Sequence, residues 1–391
     1  MVVLDGLSDL PCSNLNGKTP LEAANPPNLN KIAKNGVIGR IQVYKPGYVL
    51  NSVQAHLALL GYDPAVCYTG RGAFEAIGAG IELEEGDVAF RGSYAIVDKN
   101  MILLDRTANH FTDTERKAEM LLEKNATSGE YIFRSTVGYR NVLVLKNASP
   151  FVSEVDPEEP GKRIKEAVPL SPDSVAKSTC DRVTQFTLRS YEVLSSAGLG
   201  PNIVLLKTPG VKPKIPSFRE KWGLSAACVA AVPAIKGLCR AAGFDIIESP
   251  GATGWIDSNF IMKAKKAKNA LDNHDFVFLH VEATDEISHD KNPRGKAKLI
   301  ENLDAMFNIL GELNDVVLAV LSDHTTSSEL GMHHPEPPII AIKGPNIYSD
   351  NLRFTERDAA RGRLGTVHSD DLIPILMGYA GKPLKVKTSF R

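Results

Sequence analysis

Cysteine is scarce in this chain of 391 residues: five are scattered at positions 12, 67, 180, 228 and 239, odd in number and without a CxxC pair. That excludes a disulfide framework and reads as free thiols in a reducing compartment. Long apolar runs are missing too. Crossing a bilayer takes about 20 apolar residues in a row. The most apolar stretch, Leu224 to Ile235, contains Pro233 and runs into Lys236. The N-terminus, MVVLDGL, meets an aspartate at its fifth residue and has no basic-then-apolar targeting pattern. A soluble, cytoplasmic protein is therefore expected. A strand that opens at residue 1 is abrupt, so a few native residues are expected upstream. An excess of charge of one sign is also lacking, with 45 basic against 46 acidic residues. No global field then draws nucleic acid or an anionic membrane, although a local basic pocket fits inside a neutral total. Low-complexity tracts and internal repeats are absent. Length is what the chain has in plenty. At roughly 100–200 residues per domain it holds two or three domains, or one elaborated one. That is enough to bury a core without staples.

Short β-branched or leucine-rich runs predict buried strands at Val2–Leu4, Asn141–Leu145, Ile203–Leu206, Phe276–Val281, Val316–Leu321 and Ile339–Ile342. Those of the C-terminal third are almost continuously apolar, the pattern of parallel strands covered on both faces. Between them lie helical stretches such as Gly295–Leu313, with Leu299, Leu303, Met306 and Leu310 three or four apart. Strands alternating with helices argue for a layered α/β domain. The middle of the chain has another texture. From Tyr68 to about Lys207 glycines stand at 70, 72, 78, 80, 86 and 92, a hairpin is expected around Asp98-Lys99-Asn100, and a proline-rich loop runs from Asp156 to Pro172. Residues 68–207 read as a smaller unit inserted between two pieces of the first, 1–67 and 208–391.

Seven of the nine histidines fall after residue 270, and the clearest of them sit near aspartates at strand ends. Asp285 and His289 follow FVFLHVE. Asp323 and His324 end VVLAVLSDH, with His333 and His334 soon after in GMHHPEPP. Asp5 ends VVLD. Ligands of open α/β sheets bind at the carboxyl ends of strands. Carboxylates mixed with imidazoles suit Mn²⁺, Zn²⁺ or Fe better than Ca²⁺ or Mg²⁺ alone. Two such clusters point to a two-metal site that clamps the attacking and leaving oxygens of a phosphoryl group. A single Asp–His pair at a strand end is more often a cap or a surface turn. Three such sites, two Asp–His pairs and Asp5, ending three apolar strands rarely share one rim by accident, so the metal ensemble is preferred.

The segments VVLDGLSDLP, GKTPLEAANPPNLNKIAKNG, NSVQAHLALLGYDP, YTGRGAFEAIGAGIEL, GDVAFRGSYAIVD, PSFREKWGLSAACVAAV, GATGWIDSNF, LHVEATDEISHD and SDHTTSSELGMHHPEPP run from residue 1 to beyond residue 340. In this order they resemble the archaeal-type 2,3-bisphosphoglycerate-independent phosphoglycerate mutases of the alkaline phosphatase superfamily. The resemblance implies an alkaline-phosphatase-like layered α/β domain interrupted by a smaller inserted α+β domain that covers the substrate. It also implies two divalent ions, with manganese first and magnesium, zinc or cobalt as alternatives. Ser52 stands at the position of the family's phosphorylated serine. Taken alone, a serine before a helix is simply a good N-cap. An unaided serine is a weak nucleophile, and metal coordination is the physical reason to prefer the functional reading. By the same match Asp5, Ser52, Asp323 and His324 are ligands of one ion, and Asp285, His289 and His333 of the other. A one-residue offset would exchange His333 for His334. Arg71, Arg106, Arg140 and Lys221 match positions where related mutases present cations to phosphate and carboxylate. Asp105 is the expected acid/base for the glycerate hydroxyl. The implied reaction interconverts 3-phosphoglycerate and 2-phosphoglycerate through a phosphoserine, within a cleft that closes against water. A phosphatase or phosphodiesterase of the same superfamily is the alternative enzyme, and a non-catalytic paralogue that binds phosphometabolites the other reading. The only partner implied is the small phosphoglycerate substrate, with no nucleic acid and no membrane.

Some positions depart from the family pattern. Val53 stands where an aspartate usually follows the serine, Arg106-Thr107-Ala108-Asn109-His110 replaces an arginine-rich stretch, and Lys207 stands where arginine is common. Lysine does not match arginine's bidentate fork. Other features are discounted. The basic run from Lys263 to Lys268 reads as a solvated helix face. YTGRGAFEAIGAG lacks the third glycine of a dinucleotide fingerprint and reads as a flexible start to the insert. His56 reads as a helix residue near the nucleophile, not a ligand. Nothing near Cys12 would activate it, and Trp222 and Trp255 read as core or rim residues.

Overall fold

The computed structural model describes residues 1–109, 114–124 and 131–384. The chain forms two compact units. The first is made of Met1–Cys67, Ile215–Ala231 and Ala242–Arg391, the second of Tyr68–Lys214 and Val232–Ala241. The second unit thus runs past residue 207 and takes in the Pro233–Ala241 helix. Glycine explains that recruitment. A Cβ on Gly237 would lie 1.8 Å from Phe74 O, and one on Gly78 would lie 1.8 Å from Pro233 O. Only bare backbone lets this helix approach the Arg71–Gly78 helix so closely.

An eight-stranded sheet forms the first unit, in the order Gly365–His368, Val37–Gln42, Ile339–Lys343, Leu318–Leu321, Val2–Leu4, Phe276–Val281, Ala226–Val229, Asp245–Ile246. Val2–Leu4 lies inside the sheet, parallel to Phe276–Val281 on one side and to Leu318–Leu321 on the other. Ile339–Lys343 corrects the all-parallel expectation, because it runs antiparallel to Leu318–Leu321. Its connection is a hairpin of Thr325–Ser327 and Met332–His334, and no crossover helix intervenes to restore the direction. The strand is apolar all the same, being buried over Ile339–Ile342.

One face of this sheet packs against the helices Pro27–Lys34, Phe260–Ala270 and Pro293–Gly311, which contribute Leu29, Ile32, Ala264, Leu299, Leu303 and Leu310 to one continuous core. Each fully buried leucine is worth about 1.5–3 kcal/mol. Asn292 starts the last of these helices, its Oδ1 accepting the Gly295 N–H at 2.8 Å. The basic run departs from its expected solvated face at Lys263, which is fully buried while Lys265 and Lys268 are exposed. Its charge bears on the buried His280, so this lysine serves the interior.

The second unit is an antiparallel sheet in which Val88–Val97 pairs with Leu103–Asp105, Arg140–Leu145 and Ile203–Gly210. The hairpin at Asp98 closes with the Asp98 N–H donating to Ile102 O at 3.0 Å. Its 24-residue helix, Ser174–Ala197, is capped by Asp173 and ends on Gly198 at φ 64°. Its apolar face joins Phe90, Phe133, Val183, Phe186 and Leu206 in a core of the unit's own. The expected flexible start is instead the Arg71–Gly78 helix. A Cβ on Gly70 would lie 1.9 Å from Pro209 O, and one on Gly72 would lie 2.1 Å from Ala89 O. These glycines permit close packing and do not loosen the segment.

Candidate metal centre and anion site

Three neighbouring parallel strands deliver the acidic donors to one edge of the first unit. Asp5 follows Val2–Leu4, and its N–H donates to Val281 O at 2.9 Å. Asp323 and His324 follow Leu318–Leu321. Asp285 and His289 are one turn apart on the Ala283–His289 helix that leaves Phe276–Val281. His333 comes from the hairpin strand Met332–His334, opposite Thr326.

Their geometry forms two adjoining groups that share His324. Its Nε2 lies 3.1 Å from Asp5 Oδ1 and 3.3 Å from Asp323 Oδ2. In the second group His289 Nε2 is 3.2 Å from Asp285 Oδ2, and His333 Nε2 is 3.6 Å from Asp285 Oδ1. The His324 and His333 rings stack at 3.9 Å. Each outer nitrogen is spoken for. His289 Nδ1–H donates to Gly331 O and His333 Nδ1–H to Leu50 O, both at 2.9 Å, which turns Nε2 inward. Gly6, at φ 58°, gives its N–H to Asp323 Oδ1 at 3.0 Å. A Cβ there would lie 2.4 Å from Asp285 Oδ1. His334 faces elsewhere, its Nδ1 accepting the Glu336 N–H, so His333 is the histidine that meets Asp285.

Burial lifts the Asp323 carboxyl well above the usual range, and the Asp5 charge adds to it. Burial would raise Asp285 too, but hydrogen bonds from His289 and His333 take it well below. Contact with Asp285 raises His289 to about 9. Burial opposes ionisation of His333, yet Asp285 prevails and raises it, while burial lowers His324. Asp323 Oδ2 and His324 Nε2 are buried with no hydrogen-bond partner among the described residues. Buried carboxylates and an imidazole nitrogen that converge in this way would gain from the positive charge of a divalent cation. Oxygen and imidazole donors in this mixture fit such an ion.

Ser52 opens the Ser52–Leu59 helix and is buried. It does not act as the cap. Asn51 does, its Oδ1 accepting the Gln54 N–H at 3.1 Å while its own N–H donates to Gln54 Oε1 at 3.2 Å. His56, four residues on, donates Nδ1–H to Ser52 O at 2.5 Å, and the same nitrogen lies 3.4 Å from Asp323 Oδ2. One turn of helix thus sets Ser52 beside the metal-type group. Val53 is fully buried. Asp5, His56 and His280 make a third set of converging donors. His280, which the sequence reading passed over, is fully buried, and burial lowers its pKa to about 4.

The second unit gathers cations. Arg71 Nε–H donates to Glu75 Oε1 at 3.2 Å, and Arg91 Nε stands 3.9 Å from the same oxygen. Burial, with the charges of Arg71 and Arg140 adding to it, lowers Arg91 to about 10. Arg140 lies over the Tyr139 ring. Beside this group the buried Asp156 takes three donors on Oδ2: Lys207 Nζ at 2.7 Å, Arg106 Nη2 at 2.8 Å and Arg106 Nε at 2.9 Å. Lys221 belongs to the first unit, where its Nζ lies over the rings of Tyr62 and Trp222. Asp105 closes its own turn, accepting from Thr107 N–H and Oγ1–H on Oδ1 and from Asn109 N–H on Oδ2. His110 lies outside the described residues.

Comparison with known proteins bears directly on this arrangement. The family described as 2,3-bisphosphoglycerate-independent phosphoglycerate mutase matches residues 33–199. Proteins of that name from Pyrococcus furiosus and Thermococcus kodakarensis are each 38% identical, with 98% of this chain and 98% of each relative covered. One from Pyrococcus horikoshii is 39% identical over 98% of this chain and 97% of its own. This chain belongs to that family. A solved Pyrococcus horikoshii protein superposes with a TM-score of 0.81 at 32% identity, covering 99% of this chain and 98% of its own. A structure titled as a cofactor-independent phosphoglycerate mutase from Thermoplasma acidophilum gives 0.64 at 31% identity, covering 97% and 98%. The mutase fold is therefore the alkaline-phosphatase-like layered α/β architecture that the sequence implied. In this mutase, Arg91 and Asp156 beside the candidate cations and His280 beside Asp5 are residues to which sequence reasoning gave no role. Arg91 lay inside the quoted segment GDVAFRGSYAIVD, and a buried strand that carries an arginine was the available signal. Asp156 offered none from its place in a proline-rich loop.

Proposed function

We propose that this chain interconverts 3-phosphoglycerate and 2-phosphoglycerate without a bisphosphoglycerate cofactor, in the cytoplasm and in service of glycolysis or gluconeogenesis. What supports the reading is the double group of acidic and imidazole donors at the ends of three adjacent strands, in a chain of this family. Asp5, Ser52, Asp323 and His324 would hold one divalent ion, and Asp285, His289 and His333 the other, manganese being the first choice and magnesium, zinc or cobalt the alternatives. Bound ions would supply positive charge to the phosphoryl oxygens and make the serine hydroxyl more acidic. Ser52 Oγ would form the new bond to phosphorus as the substrate's own oxygen leaves, and the other glycerate hydroxyl would later recover the phosphoryl group. Arg71, Arg91 and Arg140 would bind anionic oxygens, joined by Arg106, Lys207 and Lys221, and the inserted unit would be the substrate-holding element. Asp105 would exchange the proton with the glycerate hydroxyl.

The deciding experiment incubates Mn²⁺-loaded protein with 3-phosphoglycerate and follows 2-phosphoglycerate directly. Formation of 2-phosphoglycerate is expected, with a ³²P label retained on Ser52 after a rapid acid quench. Ser52→Ala should lower turnover by at least roughly 10³-fold. Release of inorganic phosphate in place of 2-phosphoglycerate would overturn the reading.

A further inference from the structure

The Asp5 carboxylate has two sides, and they face different partners. Oδ1 stands 3.1 Å from His324 Nε2. Oδ2 accepts the His280 Nε2–H at 2.9 Å. His280 sits opposite Val3 in the sheet register, two residues beyond Phe278, whose ring stacks with it at 6.4 Å and 12°. The rest of that strand, Phe276–Val281, is apolar and buried. A polar ring placed there costs free energy unless it is hydrogen-bonded, so its bond to Asp5 accounts for its presence. His56 meets the same ring edge-on at 4.8 Å and 72°. It reaches Ser52 O and Asp323 Oδ2 through Nδ1. The imidazole pair therefore touches Asp5, Ser52 and Asp323, three of the four residues assigned above to one ion.

We propose that His280, backed by His56, is the positioning residue that commits Asp5 to ligation through Oδ1 alone and thereby sets the affinity of the ion held by Asp5, Asp323 and His324. The inference rests on the two-metal reading. With Oδ2 tied to an N–H donor, the carboxylate can neither rotate nor chelate through both oxygens. Partners of this kind behind a ligand typically change metal affinity 10–100-fold when removed.

Metal binding tests this without recourse to turnover. Full-length protein stripped by chelator is titrated with Mn²⁺, and the free ion is read from its paramagnetic resonance signal. The wild-type chain should take up two ions. His280→Asn, whose shorter amide stops before Asp5, should weaken one of them about 10–100-fold and spare the other. His280→Gln, which carries an N–H close to the Nε2 position, should regain most of the loss. Should the asparagine variant not fold, His280→Phe keeps the ring without the donor and is judged by the same result. Wild-type affinity in the variant that lacks the donor overturns the inference, as does equal weakening of both ions with no recovery in His280→Gln. Fewer than two ions on the wild-type chain would sink the two-metal reading itself, and the inference with it.

Discussion

Burial and the charge of Arg91 push the Lys207 ammonium down to about 7, even though Asp156 Oδ2 lies 2.7 Å away. Arg106, on the same carboxylate, adds to the repulsion. A lysine depressed in this way is charged below about pH 7 and neutral above it. For an anionic substrate, kcat/KM reports the free enzyme, so it should fall as pH rises through that value. Lys207→Arg should abolish this limb, because a guanidinium does not titrate in the range. A pH profile of both proteins between pH 6 and 9 checks it, and a limb that persists in the arginine variant would assign the titration to another group. In the sequence Lys207 showed only as a departure from arginine. Its setting depends on pairing across the sheet, where Arg91 faces Lys207, and no local pattern announces that register. Asp5, Asp285, Asp323 and their histidines were easier to find, because each follows an apolar strand that can be recognised by composition.

The Pro293–Gly311 helix shows how an element can be legible while its hardest-working residue is not. Leucine spacing predicted its extent to within two residues at either end, as expected when burial of one face dominates. The same spacing puts Lys296 on the buried face, one turn before Leu299 and Ile300, which is an odd place for an ammonium. In the fold it is fully buried and donates to Gly6 O at 2.8 Å, Asp9 Oδ2 at 2.9 Å and Thr326 O at 3.1 Å. The helix thereby grips the loop after Asp5 and the hairpin after His324 with one side chain. Lys296→Met should cost about 3–5 kcal/mol, because it strands the buried Asp9 charge. Urea unfolding measures this, and a loss below about 1 kcal/mol would show that the grip is unimportant. Strand direction was less legible than strand position. Ile339–Lys343 is as apolar as a parallel strand, and only the hairpin before it reveals that the chain has turned back.

The first unit has a core around Leu4, Leu279 and Leu303 and the second a core around Phe90, Phe133 and Phe186, so each has its own place to unfold. All the proposed metal donors lie in the first unit. Ions bound at a hundred times their dissociation constant stabilise a folded unit by about 2.7 kcal/mol each. Calorimetry with and without chelator should therefore move the transition of the first unit and leave that of the second in place. Equal shifts of both would refute this division of labour.

The place of Val2–Leu4 in the sheet has a consequence for the order in which the protein is made. The strand leaves the ribosome long before its neighbours on either side, Phe276–Val281 and Leu318–Leu321. At roughly 5–20 residues per second, it waits on the order of tens of seconds for them. Until then Asp5 has neither Asp323 nor His324 beside it. Loading of the proposed ions would thus be a closing step of biogenesis, and an interrupted nascent chain would carry Ser52, the proposed nucleophile, without the means to arm it.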